Sequence, residues 1–266
     1  MGSNLTDSTM KYYGQRVLVN FPMPGPLYGR SSQKYATFNM AIPDQFRADV
    51  FMQEFQEKWL DPSRPPQRGG ANQPPQRGGA KAEKMPQVLT LMLPQDHGAG
   101  ERPQAGYPFR ESYMADNDLA LGRVVEFLSH TPYWKEMAIV VTEDDAQDGH
   151  DHVDAHRSVL MVISPWAKKN YVSHRHTSFG SIFKTFWNIL GVPYLNQYDA
   201  AAADFSDFFT HQPDFTPYSA LPADPRVLDP QRLLTPFDAK FDWKSLLESP
   251  KLDNVEDFIR DKRGGN

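Results

Sequence analysis

The run Ala138-Ile139-Val140-Val141-Thr142 ends abruptly in Glu143-Asp144-Asp145. An uninterrupted apolar, β-branched run of this kind fills a strand buried on both faces. Carboxylates about 4 Å apart repel by roughly 1 kcal/mol in water and by about 4 kcal/mol at an effective dielectric near 20. Burying Asp144 beside Asp145 therefore calls for a cation, which a divalent metal supplies. Asp148, His150, Asp151, His152, Asp154 and His156 follow, then Arg157. Oxygen and imidazole ligands concentrated at the end of a buried strand point to metal chemistry; a solvated acidic loop with incidental histidines is the plainer alternative.

Ser158-Val159-Leu160-Met161-Val162-Ile163 repeats the buried-strand pattern and is closed by Ser164-Pro165-Trp166. Ligands in open α/β sheets collect at the carboxyl ends of strands. His156 precedes its strand, so it must reach such a site from a loop.

With 266 residues the chain can bury a substantial core, as one large domain or one and a half small ones. A net charge of -5 without a basic block argues against nucleic acid as the main partner. No apolar run is long enough to span a membrane. Cysteine is absent, which excludes disulfides and thiolate metal sites and leaves His, Asp and Glu as strong ligands. The amino terminus, MGSNLTDSTMKYYGQRV, lacks the charged start and apolar core of a signal peptide.

Along the chain, Val17 to Met40 mixes Pro, Gly and aromatics without a sustained period and reads as irregular cover over the core. Asp44 is placed to cap a helix on which Phe46, Val50, Phe55 and Trp59 share one face. Pro-Pro-Gln-Arg-Gly-Gly-Ala then occurs twice, at Pro65 to Ala71 and Pro74 to Ala80. Asp61 to Lys84, which contains both copies, cannot bury enough apolar surface to offset its ordering entropy and is expected to be a disordered insertion.

Gln87 to Leu93 reads as another buried strand, and Pro94-Gln95-Asp96-His97-Gly98 after it is either a second site or an exposed turn. The spacing of Leu121, Val124, Val125 and Leu128 predicts a helix from Tyr113 to Ser129, with Asp116 and Asp118 as helix-starting residues. His174 and His176 fall in a loop. Thr177 or Ser178 caps a further helix that aligns Phe179, Ile182, Phe183, Phe186, Ile189 and Leu190, and Gly191 and Pro193 stop it. Beyond Ala200 the chain turns aromatic and proline-rich, with one amphipathic segment at Trp243 to Leu247 and a charged tail from Arg260.

The stretches TEDDAQDGHDHVDAHR, VLMVISPWAKKNYVSH and HTSFGSIFKTFWNILGVP resemble the bacterial phosphoesterase family that includes non-specific phospholipases C and acid phosphatases, within the alkaline phosphatase superfamily. The likeness runs from about Tyr13 to Asp207. It implies an α/β fold, a mostly parallel sheet flanked by helices, incomplete at its amino-terminal side. Residues 1–210 would be the carboxyl-terminal part of a phosphoesterase domain, and residues 211–266 an extended strap and tail. Members of the superfamily hydrolyse phosphate esters with a Ser or Thr nucleophile seated on one or two divalent metals, and are often periplasmic or secreted. Their amino-terminal half carries the nucleophile, and this chain is expected to start after it.

By the same resemblance Asp144 and Asp145 hold a divalent metal, Zn, Mn or Ca. His156 is placed like a ligand of a second metal, with Asp96 as companion. His152 is a ligand or a proton donor to the leaving group, and Arg157 meets a phosphate oxygen or pairs with Asp154. The family often places a His four residues after the Asp matched by Asp96; here Gly100 stands there and His97 follows at once, as a group that hydrogen-bonds substrate. The function implied is metal-dependent hydrolysis of phosphate esters. The alternatives are a non-catalytic half-domain that binds metal and a partner chain, and a structural Ca²⁺ site in an acidic loop.

Overall fold

The computed structural model describes residues 30–32, 34–36, 38–60, 83–144, 156–235 and 238–240. Most of the duplicated insertion, Asp145, His152, Asp154 and the segment Trp243 to Leu247 lie outside the described residues. The chain divides into two compact units, one formed by residues up to Phe127 together with those from Ser219 onward, the other by Leu128–Tyr218. Among the described residues, no helix is long and apolar enough to cross a membrane.

The first unit is built on two helices, α1 (Asp44–Phe55) and α2 (Glu111–Ser129). Val50 and Phe55 are buried on α1 as its spacing predicts, while Phe46 is half-buried. The helix continues as a π-helical turn, Gln56–Leu60, where Trp59 packs edge-on against Phe55 with centroids 5.1 Å apart. Phe127 of α2 meets the same Phe55 ring edge-on at 5.5 Å. Val124, Val125 and Leu128 are buried on α2, in keeping with their helical spacing.

A second apolar cluster joins Met40, Ala99, Tyr107, Tyr113 and Leu228, with Tyr107 and Tyr113 stacked at 4.1 Å. Ser112 Oγ donates to the Val227 carbonyl at 2.7 Å and fixes the returning chain beside Leu228. Close approach there requires glycine at position 106. Its φ is 90°, and a Cβ would stand 2.8 Å from Leu233 Cδ2 and 3.1 Å from the Leu233 nitrogen.

The segment expected as a buried strand, Gln87 to Leu93, has no regular structure, and Val88 and Leu89 are exposed. Two of its carbonyls are taken up by side chains instead of a neighbouring strand. Tyr35 Oη donates to the Met92 carbonyl at 2.5 Å and Asn117 Nδ2 to the Leu93 carbonyl at 2.7 Å. These two backbone groups are thereby satisfied without a ladder.

In the second unit β1 (Ile139–Thr142) and β2 (Leu160–Ile163) form an antiparallel pair, with Ile139 opposite Ile163 and Thr142 opposite Leu160. Both strands occur where the apolar runs predict them. They are not buried on both faces: three residues of β1 are half-buried and Thr142 is exposed, as is Met161 of β2. Among the described residues the sheet consists of these two strands.

Helix α3 (Phe179–Leu190) begins after Ser178, whose N–H donates to Ser181 Oγ at 3.1 Å, and stops at Gly191 with φ 67°. The apolar alignment does not dictate which side is buried. Gly180, Ser181, Ile182 and Thr185 are buried, whereas Phe179, Phe183 and Ile189 are exposed. Close packing explains the choice, since the Tyr198 ring of α4 (Gln197–Ala201) lies where a Gly180 Cβ would stand. Thr185 Oγ1 donates to the Ser181 carbonyl at 2.7 Å and accepts the Phe205 N–H at 3.0 Å.

Candidate functional site

Antiparallel pairing decides where the predicted ligands of the second unit fall. Because β2 runs back along β1, the residues that precede β2 lie at the same end as the residues that follow β1. Asp144 stands just beyond Thr142, and His156 and Arg157 stand just before Ser158; all three are exposed. Ser158 Oγ donates to the Glu143 carbonyl at 3.0 Å, closing the hairpin at this end. His156 stands at this end in the loop before β2, as its position ahead of the strand implies. A carboxylate, an imidazole and a guanidinium share one edge of the hairpin, and the segment between them holds Asp145 and His152, outside the described residues.

The donor chemistry fits a divalent metal: carboxylate oxygen suits Mn and Ca, and imidazole suits Zn. Among the described residues, no group of three or more His, Asp and Glu side chains gathers in a way that could hold one. The described part of the hairpin end thus supplies fewer ligands than a complete metal site needs.

Asp96 and His97 belong to the first unit, on the short 3₁₀ turn Pro94–His97. Both are half-buried. Gly98 ends the turn at φ 72°, a conformation that suits glycine, and the His97 ring meets the Phe38 ring edge-on at 5.0 Å. The alternative of a freely exposed turn does not hold, since Pro94 and Gln95 are buried.

What holds this turn is a buried polar network that local sequence reading misses. Asp44 Oδ2 accepts the Gln95 N–H at 3.0 Å and Asn117 Nδ2 at 3.2 Å, and Asp44 Oδ1 pairs with Arg47 Nη1 at 3.1 Å. Both side chains of that ion pair are fully buried. The guanidinium is also met by the carbonyls of Ala36, Asn39 and Ile42. Gln95 Nε2 donates to the Ile42 carbonyl at 3.0 Å and to Tyr107 Oη at 2.9 Å, and Tyr107 Oη donates to Asp116 Oδ2 at 2.8 Å.

Two expectations are corrected here. Asp44 does not cap α1 but is its first residue, preceded by Pro43, and no side chain of the flanking residue caps the helix. Asp116 is not among the starting residues of α2, which begins at Glu111. It is buried one turn in, and its carboxylate accepts the N–H groups of Asp44 and Gln45, so it caps α1 from another helix. The signal in the sequence was the strong charge at positions 44, 47 and 116 on otherwise core-facing surfaces, which becomes readable only once their pairing is known.

Burial pushes the Asp44 carboxyl up to about 7, with Arg47 opposing the rise and Asp116 adding to it. Burial likewise raises Asp116, against the lowering effect of its hydrogen bonds from Gln45 and Tyr107. Tyr107 is pushed far above its usual range by complete burial and by the neighbouring Asp116.

No protein-family model and no curated protein matches this chain.

Proposed function

We propose that this chain is a metal-dependent hydrolase of phosphate esters, of the phosphatase or phospholipase C type, with its chemistry at the β1–β2 end. The observation that carries the reading is the antiparallel register, which puts Asp144 beside the residues leading into β2, His156 and Arg157. The resemblance of the Asp144 to Pro165 run to the phosphoesterase family supports it. The mostly parallel, alkaline phosphatase-like sheet is part of the same proposal, with β1 and β2 as the antiparallel pair that mixed sheets commonly carry.

In this reading Asp144 and Asp145 hold a divalent ion, Zn, Mn or Ca, which offsets charge on the transferring phosphoryl group when bound. His156, in the second unit, and Asp96, in the first, are further metal ligands. Arg157 orients the ester through its phosphate oxygens, for which a planar guanidinium is suited. His152 ligates or gives a proton to the departing oxygen.

A second reading is favoured by the exposed apolar side chains Val159, just before β2, and Met161 within it. A half-covered apolar hairpin suits a module that binds metal and a partner chain without turnover of its own. Turnover of p-nitrophenyl phosphate and bis-p-nitrophenyl phosphate with Zn²⁺, Mn²⁺ or Ca²⁺ separates the two. Metal-dependent turnover that disappears in Asp144→Asn supports the hydrolase. Metal uptake without turnover supports the binding module, and no metal uptake refutes both.

A further inference from the structure

Helix α3 reverses the usual arrangement of a surface helix. Phe179, Phe183, Phe186 and Leu190 recur at intervals of four, three and four, the spacing of one helix face. None of them is buried, whereas Gly180, Ser181 and Thr185 are. The chain that follows extends the apolar surface, since Val192, Tyr194, Leu195 and Tyr198 are all exposed. Defined contacts hold this segment beside the helix. Phe183 stacks on Trp187 with centroids 6.1 Å apart, Trp187 Nε1 donates to Asp199 Oδ2 at 2.7 Å, and the same oxygen accepts the Leu195 N–H at 2.9 Å. Tyr194 Oη donates to Asn188 Oδ1 at 2.9 Å.

Phe179, Phe183, Val192, Tyr194, Leu195 and Tyr198 are 41 to 75 % exposed. Taking about 200 Å² for each side chain, they leave roughly 600 Å² open, the upper end of the largest apolar patch on a typical monomer. The half-buried Phe186, Trp187 and Leu190 add to it. A standard interface takes about 800 Å² from each partner. One charged residue, Lys184, occurs between Ser178 and Tyr198, and its ammonium is taken up by the carbonyls of Ala200 and Ala202 at 2.9 and 2.8 Å. Two copies of a chain of net charge -5 repel each other, so they meet best where charge is absent. A twofold interface sets one patch against itself, which a neutral surface tolerates and a surface of one sign does not. Anionic lipid calls for a basic face and a charged partner for opposite charge; this segment offers neither.

We propose that the outward face of α3, together with residues 192–198, is the contact between two copies of this chain in an isologous dimer. Sedimentation equilibrium of the full chain from about 1 to about 100 µM tests it, because the dimer has twice the 30.3 kDa of one chain and forms in proportion to concentration. Phe183→Glu and Leu195→Glu each put a charge into the contact and should raise the dimer dissociation constant about thirtyfold or more. Leu221→Glu, at an exposed site of the first unit, should leave it unchanged. Hydroxyl-radical footprinting of the unaltered chain needs no variant: labelling of Tyr194 and Tyr198 should fall as concentration rises.

A chain that stays monomeric across this range overturns the proposal. A dimer that survives both substitutions also overturns it, since the contact then lies elsewhere, as does a dimer in which Tyr194 and Tyr198 label as fully as in the monomer. Should either variant unfold, the footprint alone decides. Monomer that binds phosphatidylcholine vesicles, and loses that binding in Leu195→Glu, would assign the face to lipid instead.

Discussion

The carboxylate of Asp116 accepts the backbone N–H of Asp44 at 2.8 Å, across 72 positions of sequence, and so caps a helix to which it does not belong. It also accepts the Gln45 N–H at 3.2 Å, Gln45 Nε2 at 2.9 Å and Tyr107 Oη at 2.8 Å. One side chain therefore satisfies the start of α1 and a buried phenol together, where unpaired groups would otherwise be expensive.

Asp116→Ala should consequently destabilise the protein by about 2 to 4 kcal/mol, combining a lost cap with buried donors left unpaired. Asp118→Ala, at an exposed position of the same helix, should change stability by less than about 0.5 kcal/mol. Urea denaturation of both variants beside the parent makes the comparison. Equal effects would show that Asp116 is no more than a helix surface charge.

The raised Asp44 carboxyl has a definite consequence for pH. Its folded-state value of about 7 stands above its ordinary value of 3.8, so between these limits the native state binds more protons than the unfolded chain. Stability from this group is then fully present below about pH 4 and is lost as pH rises toward 7, with Asp116 acting in the same direction. Denaturation midpoints measured from pH 4 to 8 should fall across that window in the parent and fall less steeply in Asp44→Asn. An identical slope in the variant would remove Asp44 as the source.

Gly106→Ala should cost about 1 to 3 kcal/mol, since the substitution combines a positive φ with a clash against the Leu233 backbone. Gly100→Ala, where no atom lies within 4 Å of a built Cβ, should be nearly neutral. Thermal melts of the two variants decide whether the approach of Leu233 is as tight as the geometry has it.

Thr185→Val keeps the shape of a buried side chain but removes the acceptor of the Phe205 N–H. A buried donor stranded in this way costs about 1 to 3 kcal/mol. Thr210, whose Oγ1 accepts the Gln212 N–H at an exposed site, provides the control, and Thr210→Val should have little effect. Chemical denaturation gives both values; a neutral Thr185→Val would mean that α3 does not depend on this bond for its orientation.

Helix α2 was legible in the sequence because the spacing of Val124, Val125 and Leu128 is a local property, and α3 because Ser178 and Gly191 carry start and stop signals within a turn of its ends. The strands at 139–142 and 160–163, and the crowding of ligand-type side chains between them, were equally readable, as runs of neighbouring residues. Tertiary structure decided what local signals cannot carry. It set the antiparallel direction that brings His156 to the end occupied by Asp144, and it gave the Met92 and Leu93 carbonyls of the segment Gln87 to Leu93, which forms no strand, to Tyr35 and Asn117. It turned Gly180, Ser181 and Thr185 of α3 inward and Phe179 and Phe183 outward. It also made Asp44, Arg47 and Asp116 a buried network, because a hydrogen-bonding group pairs with whatever donor or acceptor the folded chain brings within about 3 Å, however far away that partner lies in sequence.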